Sequence, residues 1–359
     1  MGIQVAPTPA SLVAAELLSY LQIRKGLSGL EYLQAPGIIP DGWETYTYRL
    51  QFQVQTAATL RGPLVLRVYH GPEGLPRLRR EFMLQRRLAE LHYPVARPVM
   101  AEEDPGFLGG PFLLMEWVEG DMLLHRILHD YFALLWGPQQ MADVHARLHQ
   151  LPLQGLLGPD RPFLERQLET LKAMVDDYDL TGLAPGLDWL RAHRPAEAES
   201  PSLLHLDFHP KNLLVHKGRC TAVLDWSESD VGDHHADAAV ALLMIDTAPV
   251  EEASAWDRFM LPIGRFLTHE LYRYSYRRRL PLDGRRLRYY QAWAAFRRLS
   301  WYGSWIAAGP QVMGYKPGAV GHVRPGHVAD LERYFQRYSG VAIRLELPLS
   351  IPAMALSAF

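Results

Sequence analysis

Hydrophobic residues recur along this chain with two periods, and the change from one to the other divides it. From Ser11 to Leu30, the leucines Leu12, Leu17, Leu18 and Leu21 fall at helical spacing, which predicts one or two short helices. The Pro- and Gly-rich stretch Gln34 to Gly42 reads as a linker or loop. In Tyr46 to Gln55 the period becomes two. Tyr48, Leu50, Phe52 and Val54 alternate with Thr47, Arg49, Gln51 and Gln53, as in a strand with one buried face. Gly62-Pro63 marks a turn and Leu64 to Tyr69 a second strand. Pro76 suits a first helical turn, and Arg77 to Leu91 then sets Leu78, Leu84, Leu88 and Leu91 on one helix face. Arg97 to Glu102 and Phe112 to Val118 predict two further strands, parted by Gly109-Gly110-Pro111.

After Gly120 the pattern is helical. Helices are predicted over Met122 to Leu135, Gln139 to His149, Phe163 to Tyr178 and Pro185 to His193, with long ones starting near Ala236, Glu252 and Arg285. One β-hairpin interrupts them: Leu213 to Val215, the turn His216-Lys217-Gly218-Arg219, then Cys220 to Leu224. The expected fold class is α+β, a small antiparallel β lobe plus a larger helical lobe. The expected divisions are a helical extension over 1–40, a β-rich lobe over 41–118, a helical lobe over 119–310 and a C-terminal extension over 311–359, with one helix around Val328 to Arg337.

Composition narrows the function classes only modestly. The 359 residues are 48% hydrophobic and carry a formal net charge of -2, so bulk charge gives no reason to expect nucleic acid or a membrane surface as partner. The lone Cys220 excludes an internal disulfide and a thiolate zinc cage. Met1 to Gly37 has no basic head followed by an apolar core and a cleavage site, and no stretch reaches the length of a membrane span. The expected setting is the cytoplasm.

The informative stretch is His205-Leu-Asp207-Phe-His-Pro-Lys-Asn212, followed after the hairpin by Val-Leu-Asp225-Trp226. The returning strand brings Asp225 close to Asn212. An amide oxygen and a carboxylate are hard ligands that suit Mg²⁺, which keeps waters and borrows phosphate oxygens. Asp207 is then free to orient or deprotonate an attacking hydroxyl, and phosphoryl transfer asks little more than positioning and charge neutralisation. Taken singly, Asp207 or Asp225 could be a cap and Asn212 a turn residue. In the small lobe, Arg67 faces away from Leu66 and Val68. Glu81 sits on the apolar face of its helix, where a carboxylate needs a partner to offset its desolvation. Arg67 is the candidate partner, a surface ion pair being the plainer reading.

The block resembles the catalytic loop and metal-binding hairpin of the aminoglycoside phosphotransferase and choline kinase superfamily, itself similar to protein kinases. That family carries His-x-Asp, four residues, Asn, and later an Asp after a strand; here these are His205, Asp207, Asn212 and Asp225. Gly232-Asp233-His-His-Ala-Asp237-Ala-Ala resembles its Gly-Asp-x-x-x-Asp-hydrophobic-Ala segment. The resemblance covers about Asp41 to Trp305 and implies a protein-kinase-like two-lobe fold. It implies transfer of the γ-phosphoryl group of ATP (or GTP) with Mg²⁺, with Asp207 as base and with His205 and Asp237 bracing the catalytic loop. Arg67 and Glu81 would bind the nucleotide phosphates, although Arg stands where Lys is usual in protein kinases. Phe112 to Gly120 resembles the interlobe hinge, so the carbonyl of Glu116 and the amide of Val118 would receive the adenine edge, with Trp117 or Met115 near the base. Asp41 to Tyr46 stands in the phosphate-loop position with a single glycine, and Thr45 there could touch phosphate.

Two readings from other classes stand beside this one. A His/Asp metal-dependent hydrolase would use His205, Asp207, His209, Asp225, His234 and His235. A non-catalytic nucleotide sensor would explain Arg67 and the glycine-poor loop. The acceptor is expected to be a small hydroxyl-bearing molecule. The many arginines of the last third (Arg297 and Arg298 among them) argue against a polycationic one, while Asp176, Asp177, Asp179, Glu228 and Asp230 could supply an acidic patch. The aromatics Trp256, Tyr289, Tyr290, Trp293, Phe296, Trp301, Tyr302 and Trp305 fit a core better than a cation cage.

Overall fold

The computed structural model describes residues 9–39, 45–53, 58–71, 73–154, 161–249 and 255–347. The chain forms two compact units, one of Met1–Val118 with Pro310–Ala319 and the other of Glu119–Gly309 with Val320–Phe359.

The smaller unit is a five-stranded antiparallel sheet in the order β1-β2-β3-β5-β4. Its strands are β1 (Glu31–Ile39), β2 (Thr45–Gln53), β3 (Pro63–Tyr69), β4 (Pro98–Glu102) and β5 (Phe112–Glu116). Alternation assigns the two faces as expected. Tyr48, Leu50 and Phe52 of β2 and Leu64, Leu66 and Val68 of β3 are buried together with Val13, Leu17, Tyr20 and Leu21 of helix α1 (Ala10–Lys25). On the opposite face, Leu113 and Met115 of β5 pack with Leu78 of helix α2 (Gly74–Glu90) and with Tyr69 and Ala96.

Two expectations change here. The stretch from Gln34 to Ile39 is strand, not linker. It pairs with β2, and register shifts at Tyr32/Gln34 and Gln34/Gly37 absorb Pro36, which an edge strand tolerates because one side of its ladder is unused. Residues 40–42 lie outside the described residues. The helix read as an extension is instead one wall of the small core. Its inward stripe is Val13, Leu17, Tyr20 and Leu21, whereas Leu12 is exposed.

The larger unit begins with β6 (Asp121–Met122), α3 (Leu123–His129) and α4 (Tyr131–Leu148). The single helix expected over Met122 to Leu135 breaks at Asp130, whose carboxylate accepts from Phe132 N–H and starts α4 anew. Next come α5 (Phe163–Asp177), α6 (Ala184–Ala192), β7 (Ser202–Leu204), β8 (Leu213–His216), β9 (Arg219–Val223) and β10 (Asp230–Gly232). Four helices follow: α7 (His234–Thr247), α8 (Ala255–Arg277), α9 (Gly284–Ala308) and α10 (Pro325–Ser339). The hairpin β8–β9 forms as the sequence indicates, with β6 added on its β8 side. Gly120, at φ 155°, lets the chain pass beside Val215, where an added Cβ would sit 3.1 Å from the Val215 carbonyl. The short pair β7–β10 was not legible in the sequence. Three residues each are too few for a period, yet the pair holds the two ends of the functional segment together. Most of the aromatics on α9 are core residues: Tyr290, Trp293, Phe296 and Trp305 are all buried. Among the described residues no helix is long and apolar enough to cross a membrane.

Candidate active site

The segment from Leu204 to Trp226 is pinned at four points, each through a different kind of bond. Its first anchor is Asp237, one turn into α7 and fully buried. Its Oδ2 accepts from His205 N–H at 2.6 Å and its Oδ1 from Leu206 N–H at 2.8 Å. Leu206 has φ 59°, a left-handed conformation that costs a leucine about 1–2 kcal/mol. The Asp237 bond on one side and Arg297 Nη1, 3.4 Å from Leu206 O, on the other hold it there. The twist swings the chain so that Asp207 leaves the core while Leu206 and Phe208 stay inside.

The second anchor is His205, also fully buried, whose Nε2 lies 2.9 Å from Leu224 O. Burial, acting against the nearby Asp237 and Asp207 charges, lowers its pKa, so the ring is neutral and Nε2 carries the proton that Leu224 O accepts. Nδ1 is then an acceptor, and Asp207 N–H donates to it at 3.3 Å. One ring thus ties the loop start to the end of the hairpin.

The third is Asn212, at the end of a 3₁₀ turn formed by Pro210–Asn212. Its Nδ2 donates to Asp207 O at 2.9 Å and to Asp207 Oδ2 at 3.0 Å. Turning the amide over would set its oxygen against two acceptors, so Oδ1 faces away from Asp207 and is the atom a cation could use. The fourth is the ladder bond Leu224 N–H to Asn212 O at 2.8 Å, which brings Asp225 alongside the Asn212 backbone. Asp225 has φ 61°, and its Oδ1 accepts from Ser227 Oγ at 3.2 Å. An amide oxygen beside a carboxylate is a donor set that fits Mg²⁺. The larger unit therefore gathers all five of its expected residues, His205, Asp207, Asn212, Asp225 and Asp237, into one segment and its anchor.

Asp207 itself faces a guanidinium and an imidazole. Arg298 Nη2 lies 3.4 Å from Oδ1 and His209 Nε2 3.4 Å from Oδ2. Burial would raise its pKa, but His209, Arg298 and His205 together more than offset this and hold the carboxyl well below the usual carboxylate range. It is ionised and acceptor-only at neutral pH. Of the histidines in the expected hydrolase set, His209 faces Asp207, but the others turn elsewhere: His205 Nε2 to Leu224 O, His234 Nε2 to Pro281 O at 3.0 Å, and His235 to Asp233 at 2.6 Å and to Asp283 N–H at 2.9 Å. Among the described residues the candidate metal groupings are His145/His149/Asp237 and Asp233/His234/His235, and neither includes Asp207 or Asp225.

In the smaller unit, Arg67 Nη1 meets Glu81 Oε2 at 2.7 Å, with Glu81 fully buried and Arg67 nearly so. Tyr69 OH donates to the same oxygen at 2.7 Å, and Arg67 Nε donates to Thr45 Oγ1 at 3.1 Å. Arg67, Glu81 and Thr45 are thus one cluster, and this ion pair is buried rather than on the surface. Asp41 to Glu44, the rest of the expected phosphate loop, lie outside the described residues. Glu116 closes β5, its N–H donating to Arg97 O at 2.9 Å, and Trp117 N–H donates to Pro63 O at 3.0 Å. Val118 follows as the ladder ends. The Trp117 ring stacks under the Arg49 guanidinium, 4.3 Å away, while Met115 is buried against α2.

The model of the family described as "Phosphotransferase enzyme family" matches residues 38–261. The chain belongs to that family. Among curated relatives, acyl-CoA dehydrogenase family member 11 of Gallus gallus is 30% identical over 189 residues, 48% of this chain and 24% of the relative. The chain therefore spans about a quarter of the length of such relatives. Among solved structures, a protein from Ralstonia eutropha given the provisional designation aminoglycoside phosphotransferase superposes with a TM-score of 0.64 at 23% identity, over 90% of this chain and 98% of that one. A thermostable mutant of aminoglycoside phosphotransferase APH(4)-Ia, in ternary complex with AMP-PNP and hygromycin B, superposes at 0.58 with 19% identity, over 89% and 99%. At these identities the likeness is one of fold: the α+β, kinase-like fold of such phosphotransferases.

Within this family fold, several residues of the site were not singled out from the sequence. His145 on α4 and His149, the residue that caps its end one turn later, bring Nε2 to 3.0 and 3.1 Å from Asp237 Oδ2. Their Nδ1 atoms face Tyr272 OH at 2.7 Å and Tyr276 OH at 2.5 Å, again one turn apart on α8. The matched i, i+4 spacings were the available signal, but nothing local says that the two pairs face each other. Arg298 was noted only as one of many arginines.

Proposed function

We propose that this phosphotransferase moves the γ-phosphoryl group of ATP to a hydroxyl of a small molecule. The acceptor oxygen forms a bond to the γ-phosphorus, the bond to the β–γ bridging oxygen breaks, and ADP leaves. The hydroxyl proton passes to Asp207, whose depressed basicity suits a group that aims the hydroxyl and takes the proton late, as a loose transition state allows. Asn212 Oδ1 and Asp225 would hold Mg²⁺, which supplies charge neutralisation at the phosphates. Arg67, oriented by Glu81 and Thr45, would bind phosphate oxygens, its planar fork doing the work of the usual lysine. Glu116 O and Val118 N–H would meet the adenine edge. His205 and Asp237 have structural roles, holding the loop. With one half-buried cysteine in the chain, the cytoplasm is the setting we infer.

The observation that carries this reading is the Asp207–Asn212 lock. A single amide fixes the carboxylate at its backbone and its side chain and presents its own oxygen outward. A sensor that binds without transferring has no need of an ionised, oriented Asp207, so the enzyme reading is preferred.

Complexes of the structural neighbour with AMP-PNP and hygromycin B support a nucleotide and a small acceptor here. The name of the curated relatives brings hydroxyacyl thioesters of coenzyme A into the acceptor screen beside hygromycin B. The test is release of ADP from Mg·ATP over such a screen, with Asp207→Ala as control. Equal turnover by Asp207→Ala would overturn the base assignment, and nucleotide binding with no transfer to any acceptor would favour the sensor.

A further inference from the structure

Arg298 and Tyr302 lie one turn apart on α9, so one side chain follows the other along a single helix face. Arg298 Nη2 is 3.4 Å from Asp207 Oδ1 and 3.4 Å from Met244 Sδ of α7. Tyr302, 3% exposed, places its hydroxyl 3.2 Å from His327 Nδ1 on α10. The other nitrogen of that ring, His327 Nε2, is buried and finds no hydrogen-bond partner among the described residues. A buried polar atom without a partner costs about 1–3 kcal/mol, a cost that a ligand can relieve. A row of polar groups on one helix face therefore leads from the Asp207 carboxylate past Arg298 and Tyr302 to an unsatisfied imidazole nitrogen.

Two further cations, Arg265 and Arg324, stand near the His327 end of this row. Burial first, then the Arg298, Arg265 and Arg324 charges, lower the His327 pKa to about 4, so the ring is neutral at pH 7. Arg265 caps the end of α7 through Asp246 O at 3.0 Å and Ala248 O at 2.5 Å. Several nearby carboxylates already have cationic or imidazole partners: Asp207 with Arg298, Glu228 with Arg297 at 2.8 Å, Asp246 with His269 at 2.9 Å and Asp330 with Arg333, while Glu332 accepts from Leu345 N–H at 2.7 Å and Asp237 is held by backbone N–H groups and two imidazoles. Such surroundings repel a polycation and favour an oxyanion.

We propose that the acceptor subsite is built for an anionic molecule, Arg298 and His327 Nε2 binding a carboxylate or phosphate group of the acceptor and so holding its hydroxyl at Asp207. Resting on the phosphotransfer reading, this names the acceptor class that reading leaves open. An acceptor oxyanion on Arg298 would also draw the guanidinium away from Asp207, which restores basicity to the carboxylate as the substrate arrives.

A matched series tests it: hydroxyhexanoate, hydroxyhexyl phosphate, hexanediol and aminohexanol, titrated calorimetrically into the full chain loaded with AMP-PNP and Mg²⁺. The two anions separate the carboxylate from the phosphate form of the proposal. At least one should bind about tenfold or more tighter than hexanediol, the scale of a charge-assisted hydrogen bond, and aminohexanol should bind weakest. Arg298→Gln should erase the gap between anion and diol, and Arg298→Lys should keep part of it. His327→Phe is the second variant should the arginine variants melt early, and it too should narrow the gap. The proposal is overturned by aminohexanol or hexanediol binding as tightly as both anions, by failure of both anions to bind, or by an Arg298→Gln loss equal for every ligand. ADP release in parallel separates the two claims. Anion preference without transfer counts against the phosphotransferase, whereas transfer without anion preference counts against the subsite alone.

Discussion

The smaller unit and the larger unit each bury a carboxylate completely, and they offset its desolvation by different means. Glu81 is met by one guanidinium and one phenol, both on the neighbouring strand β3. Asp237 is met by two backbone N–H groups and by two imidazoles from a helix more than eighty residues earlier. The first arrangement fixes a side chain, Arg67. The second fixes a backbone, the turn through His205 and Leu206 that aims Asp207. Loss of one member of the pair strands a single charge and leaves the backbone around it in place. Loss of the hub that holds a left-handed leucine does not leave it so, because every donor around the hub is stranded at once.

Substitutions can break this contrast. The largest effect is expected from Asp207→Ala, which should lower kcat by roughly a thousandfold or more, the scale of a lost general base, with Mg·ATP affinity nearly unchanged in an equilibrium titration. Next comes the hub. Asp237→Ala should cost about 3–5 kcal/mol in urea unfolding, the range for removing one member of a buried charged network. If it costs no more than Glu81→Ala, the distinction drawn between hub and pair is wrong.

The hub should also respond to acid. Burial, then the adjacent His145, lowers the His149 pKa to about 4 from an ordinary 6.5, despite the counteracting Asp237. The unfolded chain takes up this proton below pH 6.5 and the folded chain does not until about 4, so stability is full above the first value and falls toward the second. The loss from this ring alone should approach roughly 3 kcal/mol at the acid end. Thermal melts between these pH values should show it, and His149→Gln should flatten the slope by about one proton.

Glu81→Gln should have the smallest effect. It keeps the tyrosine bond and weakens the ion pair, which should cost about 1–3 kcal/mol, with a weakening of Mg·ATP binding that disappears when Glu81→Gln is made on top of Arg67→Ala. Full additivity of the two changes in nucleotide affinity would show that Glu81 does not act through Arg67.

How much of this could be read in advance depended on the distance over which each contact acts. Arg67 and Glu81 could be paired because strand alternation and helix spacing each fix a face, and the two faces turn toward one another across a short connection. The hairpin that returns Asp225 toward Asn212 was equally local. Strand β1 was misread because Pro36 and Gly37 signal a loop unless a partner strand supplies the ladder. The His145/His149–Tyr272/Tyr276 lattice joins two helices more than a hundred residues apart, and the sequence holds only its matched spacings.

The sequence by itself therefore determined the chemistry on offer: a carboxylate, an amide and a second carboxylate, carried by a loop and a hairpin whose periods and turn residues are written locally. Tertiary structure alone decided how that loop is held, with Asp237 beneath it, and which charges face Asp207, with Arg298 delivered from α9. The reason is physical. Local patterns fix φ, ψ and face, but the electrostatic surroundings of a buried group are the sum over whatever distant elements pack against it.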